Sequence, residues 1–329
     1  MLNQLRRKTR AVMYTAALCC GAMSAAHAAT HTIDDVHFLI PGGAGGGWDS
    51  TARGLGEALM KSKIAHTVSF ENMSGGGGGK AIAHLIKAGK QAEDTLMINS
   101  TPIIIRALSK VFPQSFHDLT PVAAVVGDYA AFVVSKNSPY QNFQQVVEAY
   151  LKNPRSVTIG GGSAKGSMDH LVAAMAFQAA GGDPRRVKYI PYDAGGKAMA
   201  ALLSGETQVL STGLSEAINL AQAGEVRILA MTGDTRSAVA SEVPTLKELG
   251  YDATFVNWRG VFGPPGLSDA QVKHYDDALA AMFQTPEWKT VRDRYGWVDL
   301  YKPGPEFLAF LNEQETQIGQ LMKTLGFLR

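Results

Sequence analysis

Three glycine-rich stretches, with the hydroxyls beside them, are the residues whose types and spacing can do chemistry. The first, Pro41-Gly42-Gly43-Ala44-Gly45-Gly46-Gly47-Trp48-Asp49, follows the apolar run 36–40 and precedes a helical pattern beginning near Trp48. A strand, a loop without bulky side chains and a helix start together leave backbone N–H groups without intrachain partners, and such donors favour an anion. Nucleotide loops do not fit. No frame of 42–47 satisfies G-x-G-x-x-G, and in the run 74–80 Ser74 takes the place of the first glycine while Ala81 replaces the hydroxyl that would hold magnesium. A tight turn, for which Gly is the default residue, is the competing reading of any single loop. Repetition is what favours anion binding.

The pattern of apolar run, small-residue loop and helix recurs six times, with loops at 41–47, 71–79, 99–101, 160–167, 192–196 and 211–215. Strand and helix periods alternating in this way predict an α/β chain whose sheets are covered on both faces. Two longer β-rich runs, 122–134 and 255–262, interrupt the pattern and can carry the chain between two lobes and back. The expected division is lobe 1 at 29–123 plus 255–329 and lobe 2 at 124–254, with a hinge where the runs cross. A short helix is expected from 243–245 to Gly250, an amphipathic helix capped by Ser268 through Phe283, and a final helix over 306–325 packed on lobe 1. Ligands in open α/β sheets bind beyond the carboxyl ends of the strands. Six such loops facing one cleft, rich in N–H groups and hydroxyls and poor in fixed charge, suit a small anion with more than one carboxylate.

Of the 329 residues, 46% are hydrophobic and 18% charged, which places the chain among well-cored globular proteins, and the length predicts roughly two domains. Arg6, Arg7, Lys8 and Arg10, the apolar run 11–23 and Ala26-His27-Ala28 make the pattern of an export signal over residues 1–28, its apolar run too short to span a bilayer. Cleavage there removes Cys19 and Cys20, the only two cysteines, and with them disulfides, Cys-ligated zinc and thiol nucleophiles. It also takes four of the 31 Lys and Arg and none of the 29 Asp and Glu, so nucleic-acid binding by bulk charge has no support. The scattered histidines lack metal-ligand spacing, and neither a metal nor a cofactor is expected.

Five ordered motifs carry a family resemblance: Pro-x(5)-Gly-Trp-Asp-x-x-Ala-Arg within 41–53, Gly-Gly-Gly-Ser-Ala-Lys-Gly-Ser-Met-Asp-His at 160–170, Pro-Tyr-Asp-Ala-Gly-Gly-Lys-Ala at 191–198, Val-Pro-Thr-Leu-Lys-Glu-Leu-Gly-Tyr at 243–251 and Trp-Arg-Gly-Val-Phe-Gly-Pro-Pro-Gly at 258–266. Over essentially the whole mature chain the sequence resembles the periplasmic solute receptors of tripartite tricarboxylate transporters, the TctC/Bug type. The Gly-Gly-Gly-Trp-Asp version is closer to the tricarboxylate branch. The resemblance implies a two-lobed, type II-like periplasmic binding protein, a monomer that closes on a di- or tricarboxylate, citrate first, and delivers it to the large and small membrane subunits of a permease. Carried over residue by residue, it implies ligand contacts from Gly43, Ala44, Gly45, Gly46 and Gly47, from Ser100 and Thr101, and from Ser163, Gly166, Ser167 and His170. The five glycines after Ser74 depart from the family's commoner Asn-x-x-Gly-Ala-Gly-Gly.

Individual side chains have alternative roles. Asp49 either caps the first helix or faces an amine, and Arg53, one turn on, reaches either a ligand carboxylate or Asp49. Lys165 is a cation inside an anion loop or a solvated lysine; His170 donates to ligand or packs at its helix start; Asp193 shapes its loop or touches ligand. Trp48 and Trp258 are packing residues or ligand walls. An enzyme reading reduces to Ser167 and His170 as a hydrolase pair, since no G-x-S-x-G or H-E-x-x-H is present. An amino-acid receptor is the other alternative. A sensor-kinase ectodomain reading the closed form is a further expected partner, and a ligand-dependent pull-down tests it.

Overall fold

The computed structural model describes residues 33–328; the export signal expected at 1–28 lies outside them. Three strand–loop–helix units come first: β1 (Ile33–Ile40) with α1 (Gly47–Lys61), β2 (Ala65–Asn72) with α2 (Gly79–Ala88), and β3 (Thr95–Ser100) with α3 (Pro102–Leu108). β4 (Thr120–Ser135) and α4 (Phe143–Lys152) lead into three more: β5 (Thr158–Gly161) with α5 (Met168–Ala179), β6 (Lys188–Pro191) with α6 (Gly195–Leu203), and β7 (Val209–Gly213) with α7 (Leu214–Gln222). The chain ends with β8 (Val226–Met231), β9 (Val256–Gly263), α8 (Asp269–Phe283), α9 (Pro286–Tyr295), β10 (Val298–Pro303) and α10 (Gly304–Thr324).

β4 is the seam of the molecule. Its first part, Thr120 to Tyr129, pairs antiparallel with β9, while Ala130 to Val133 pair with β7 and Ala131 to Ser135 with β8. On one side the strands run β2-β1-β3-β9-β4, with β1 parallel to both β2 and β3; on the other they run β4-β7-β5-β6, with β5 parallel to both β6 and β7. Each lobe therefore has one central strand whose neighbours lie to either side, β1 in the first and β5 in the second, and the loops leaving these two strands open at the switch points where such sheets bind ligands.

Period-two alternation covers both faces of each sheet. In β1, Val36, Phe38 and Ile40 face a core with Leu55 and Leu59 of α1, whereas Leu39 faces the core on the opposite side. In the second half of β4, Phe132 and Val134 face α5, while Ala131 and Val133 face Leu202 and Ile218. Ser268 and Gln271 form a capping box on α8, which ends at Phe283 as the pattern predicts.

Three features differ from the sequence expectation. The segment 243–250 is a single turn rather than a helix: the Thr245 N–H donates to Glu248 Oε2 (2.8 Å), the Glu248 N–H to Thr245 Oγ1 (3.1 Å), and Gly250 at φ +86° closes it. α9 and β10 are additional elements. α9 buries only Trp288 and Val291 and is fixed by its ends, with Thr285 as cap, Pro286 at its first turn and Gly296 at φ +66° beyond it, so apolar periodicity does not reveal it. α10 packs on β4 and α3, as expected for lobe 1, but its end goes further: Phe327 meets the His170 ring edge-on at 4.8 Å and Gly326 lies against Arg185, both beyond the seam.

Candidate functional site

The loop after β1 is shaped by Asp49 from behind. Gly45, at φ +75°, donates its N–H to Asp49 Oδ2 (3.0 Å), and Oδ1 accepts from Arg53 Nε (2.9 Å) and Asn72 Nδ2 (3.0 Å). Asn72 Nδ2 also donates to the Gly42 carbonyl (3.0 Å). The Asp49 carboxylate is thus used within its own lobe, and α1 starts at Gly47 with Gly46 as an N-cap that supplies no side-chain acceptor. Trp48 lies over Gly42 and donates its indole N–H to Ser100 Oγ (2.9 Å). The loop after β2 turns through Gly75, Gly76, Gly77 and Gly78, all at positive φ, a path that side chains with a Cβ rarely follow. Behind it, Arg106 is buried against Gly77 and donates to the Gly76 carbonyl (3.4 Å), with no acidic partner among the described residues.

In the second lobe the Asp169 N–H donates to Ser163 Oγ (3.0 Å), and Tyr189 OH donates to the Ser163 carbonyl (2.6 Å). Gly162 lies directly against Gly195 at the start of α6. The Gly166 N–H, at φ +82°, donates to His170 Nδ1 (3.1 Å), and the imidazole stacks on Tyr189. Burial, and then the charge of Lys165, pull His170 down to about 4. A neutral imidazole used as an acceptor by its own loop is no general base for Ser167.

Between the loops lies a cavity of about 270 Å³. Gly43, Gly46, Gly47, Trp48, Ser100, Ser163, Ser167 and Asp193 line it, together with Gly75, Gly77 and Gly78. Ala44 and Gly45 are at the exposed loop tip, Thr101 is buried beside Ser100 with its hydroxyl unpartnered, and Lys165 is exposed. Asp49, Gly166 and His170 support the loops from outside the lining. Asp193 stands at the margin, paired with Lys197 (3.5 Å). Across the cleft, Gly43 and Gly46 approach Ala194, and Gly45 approaches Gly196, so the glycine loop of one lobe touches the start of α6 in the other.

The lining side chains that were not among the candidates include three charged ones and an amide: Asp169, Glu216, Arg259 and Asn257. Arg259 and Asn257 lie on β9, opposite Val126 and Asp128 of β4. Arg259 Nη2 donates to Asp128 Oδ2 at 3.0 Å, a buried ion pair between the two strands of the seam. Asp128 also accepts from the Ser215 N–H and hydroxyl at the start of α7. The guanidinium packs so closely on Gly47 that a Cβ there would lie 2.1 Å from Nη2, which puts a fixed cation beside the open N-terminus of α1. Glu216 Oε2 accepts from Thr212 Oγ1 (2.8 Å) and the Gly213 N–H (3.0 Å), and Oε1 abuts Gly195. Burial raises Glu216 above the usual carboxylate range, with Arg259 opposing the rise. Burial, and then the charge of Glu216, push Asp169 up to about 7. The available signal was a charged residue inside each apolar crossing run, Asp128 in one and Arg259 in the other. Trp258, by contrast, is fully buried in the core against Phe307.

The arrangement can hold an anion: open N–H groups at the start of α1, a neighbouring guanidinium, hydroxyls, and walls from both lobes. Residues 51–327 match the model of the tripartite tricarboxylate transporter family receptor. Among relatives, the chain is 26% identical over 317 residues to a UPF0065 protein of Cupriavidus necator, covering 96% of this chain and 95% of the relative, and 26% identical over 270 residues to the protein BugT of Bordetella pertussis, covering 79% and 80%. Its fold is similar to that of the periplasmic binding protein BugD (TM-score 0.80, 22% identity, 89% of this chain and 98% of the other). It is also similar to MatC of Rhodopseudomonas palustris with bound malate (TM-score 0.76, 18% identity, 88% and 99%) and to an R. palustris protein with adipate (TM-score 0.80, 22% identity, 89% and 97%). The chain belongs to the tripartite tricarboxylate transporter receptor family, and is a solute-binding receptor rather than an enzyme.

Proposed function

We propose that this receptor captures a small di- or tricarboxylate in the periplasm, with citrate the first candidate, and passes it to the large and small membrane subunits of a tripartite permease. The observation that carries the reading is the convergence of Arg259 with the uncapped start of α1 at one end of an interlobe cavity. A ligand carboxylate there receives charge-assisted hydrogen bonds from the guanidinium and backbone donors without needing a mobile cation. The malate and adipate held by two similar folds are the same class of molecule. Closure then consists of the lobes, divided near residues 123 and 254, meeting over the ligand through Gly43 to Gly46 and the start of α6, with the β4–β9 seam as hinge.

Calorimetry on protein unfolded and refolded to strip carried-over ligand tests the reading. Citrate and dicarboxylates are titrated in turn, and a dissociation constant of roughly micromolar, near −8 kcal/mol, is expected for at least one. Absence of heat with every carboxylate would remove the proposed ligand class.

A further inference from the structure

The charged lining of the cavity is divided between its walls. On the α1 side stand the backbone donors of Gly46 and Gly47 and the Arg259 guanidinium, which already spends Nη2 on Asp128. On the second-lobe side stand two carboxyl groups, Asp169 from α5, 4% exposed, and the partly buried Glu216 from α7. Glu216 Oε2 is occupied by Thr212 and Gly213. On β9 between the walls, Asn257, only 2% exposed, lines the same cavity with Oδ1 lacking any hydrogen-bond partner.

Arg259 is the one Lys or Arg in the lining among the described residues; it is paired with Asp128, and its charge opposes but does not cancel the effect of burial on the second-lobe acids. A ligand made only of carboxylates and methylenes would present acceptors or inert carbon to this wall. A buried acceptor short of donors weakens the binding of a ligand that brings none, so a ligand that supplies one binds more tightly.

We infer that the cavity selects carboxylates carrying a hydroxyl or ammonium group, which donates to Asp169 while a ligand carboxylate lies on the α1 and Arg259 side. The inference rests on the carboxylate reading above and narrows it. Asp169 is then the specificity-determining residue: it disfavours the unsubstituted acid because that acid desolvates it and adds no donor to those of Ser163, its existing hydrogen-bond partner. Hydroxyl and ammonium share the chemistry of a donor on the carbon chain, and the probes separate them.

The test is calorimetry at pH 8, where Asp169 is ionised, on stripped protein with matched acids: succinate, malate and aspartate, then tricarballylate and citrate. A substituted acid is expected to bind at least about tenfold more tightly than its unsubstituted partner. Preference for malate and citrate assigns a hydroxyl, and preference for aspartate an ammonium. Asp169→Asn should bring each pair within about threefold by tightening succinate or loosening the substituted acid; Asp169→Ser serves where the amide variant does not fold. Equal binding of substituted and unsubstituted acids by the unaltered protein overturns the inference while leaving the receptor reading intact, as does a preference that survives both substitutions. Failure of every acid to bind overturns both.

Discussion

Asp49 and Asp169 are a matched pair. Each stands in the first turn of a helix, each follows a loop of glycines and small residues leaving the central strand of its lobe, and each is about 95% buried. Asp49 is held by an arginine, an asparagine amide and a backbone N–H, all from its own lobe, and stays out of the cavity. Asp169 is hydrogen-bonded by Ser163, feels the charge of Glu216, and lines the cavity. The same residue type at the same place in the same kind of loop is scaffold in one lobe and binding wall in the other. What differs is whether a cation is bonded directly to the acid, as Arg53 is to Asp49.

The largest expected effect tests the element that touches both sides of this contrast. Arg259→Ala leaves Asp128 buried without its cation and opens the start of α1. A stability loss of about 3–5 kcal/mol in chemical denaturation is expected, together with loss of carboxylate binding in the folded fraction. Unchanged binding would remove Arg259 from the site.

The contrast also makes a pH prediction. Asp169 is raised to about 7, so between roughly 4 and 7 the folded state holds more protons than the unfolded one, and this group makes stability fall as pH rises through that window. His170, pulled down to about 4, acts oppositely between about 4 and 6.5: the folded state holds fewer protons, so stability falls as pH drops. The two slopes oppose each other in the intact protein. Asp169→Asn should expose the His170 slope, with stability rising from pH 4 to 6.5 by on the order of 2 kcal/mol in urea titrations. A flat profile in that variant would contradict it.

A third test sharpens the role of glycine in the first loop. In Gly47→Ala the new methyl would overlap the Arg259 guanidinium, and affinity for the bound carboxylate should drop about 10- to 100-fold with a smaller change in stability. Affinity within twofold of the parent would place the ligand elsewhere in the cavity. The smallest effect belongs to Lys165, an exposed cation outside the lining. Lys165→Ala should change affinity by less than about 0.5 kcal/mol, and by less still in high salt.

The six strand–loop–helix units and the crossing β4 and β9 were legible in the order of residues. Alternation of apolar and small residues is a local property, and local sterics turn it directly into strands, helices and open N–H groups. The end-defined α9 was not legible, because too few apolar residues mark its face. The chemistry of the acids was not legible either. Asp49 and Asp169 are equivalent in sequence context, and only folding gives one an arginine one turn away and an asparagine from β2, and sets the other facing Glu216 from α7. Arg259 reaches Gly47 from more than two hundred residues along the chain. Charge interactions and desolvation depend on distance through space and on exclusion of water, so the sequence by itself determined a two-lobed solute receptor, and only the tertiary structure decided which charges line its cavity.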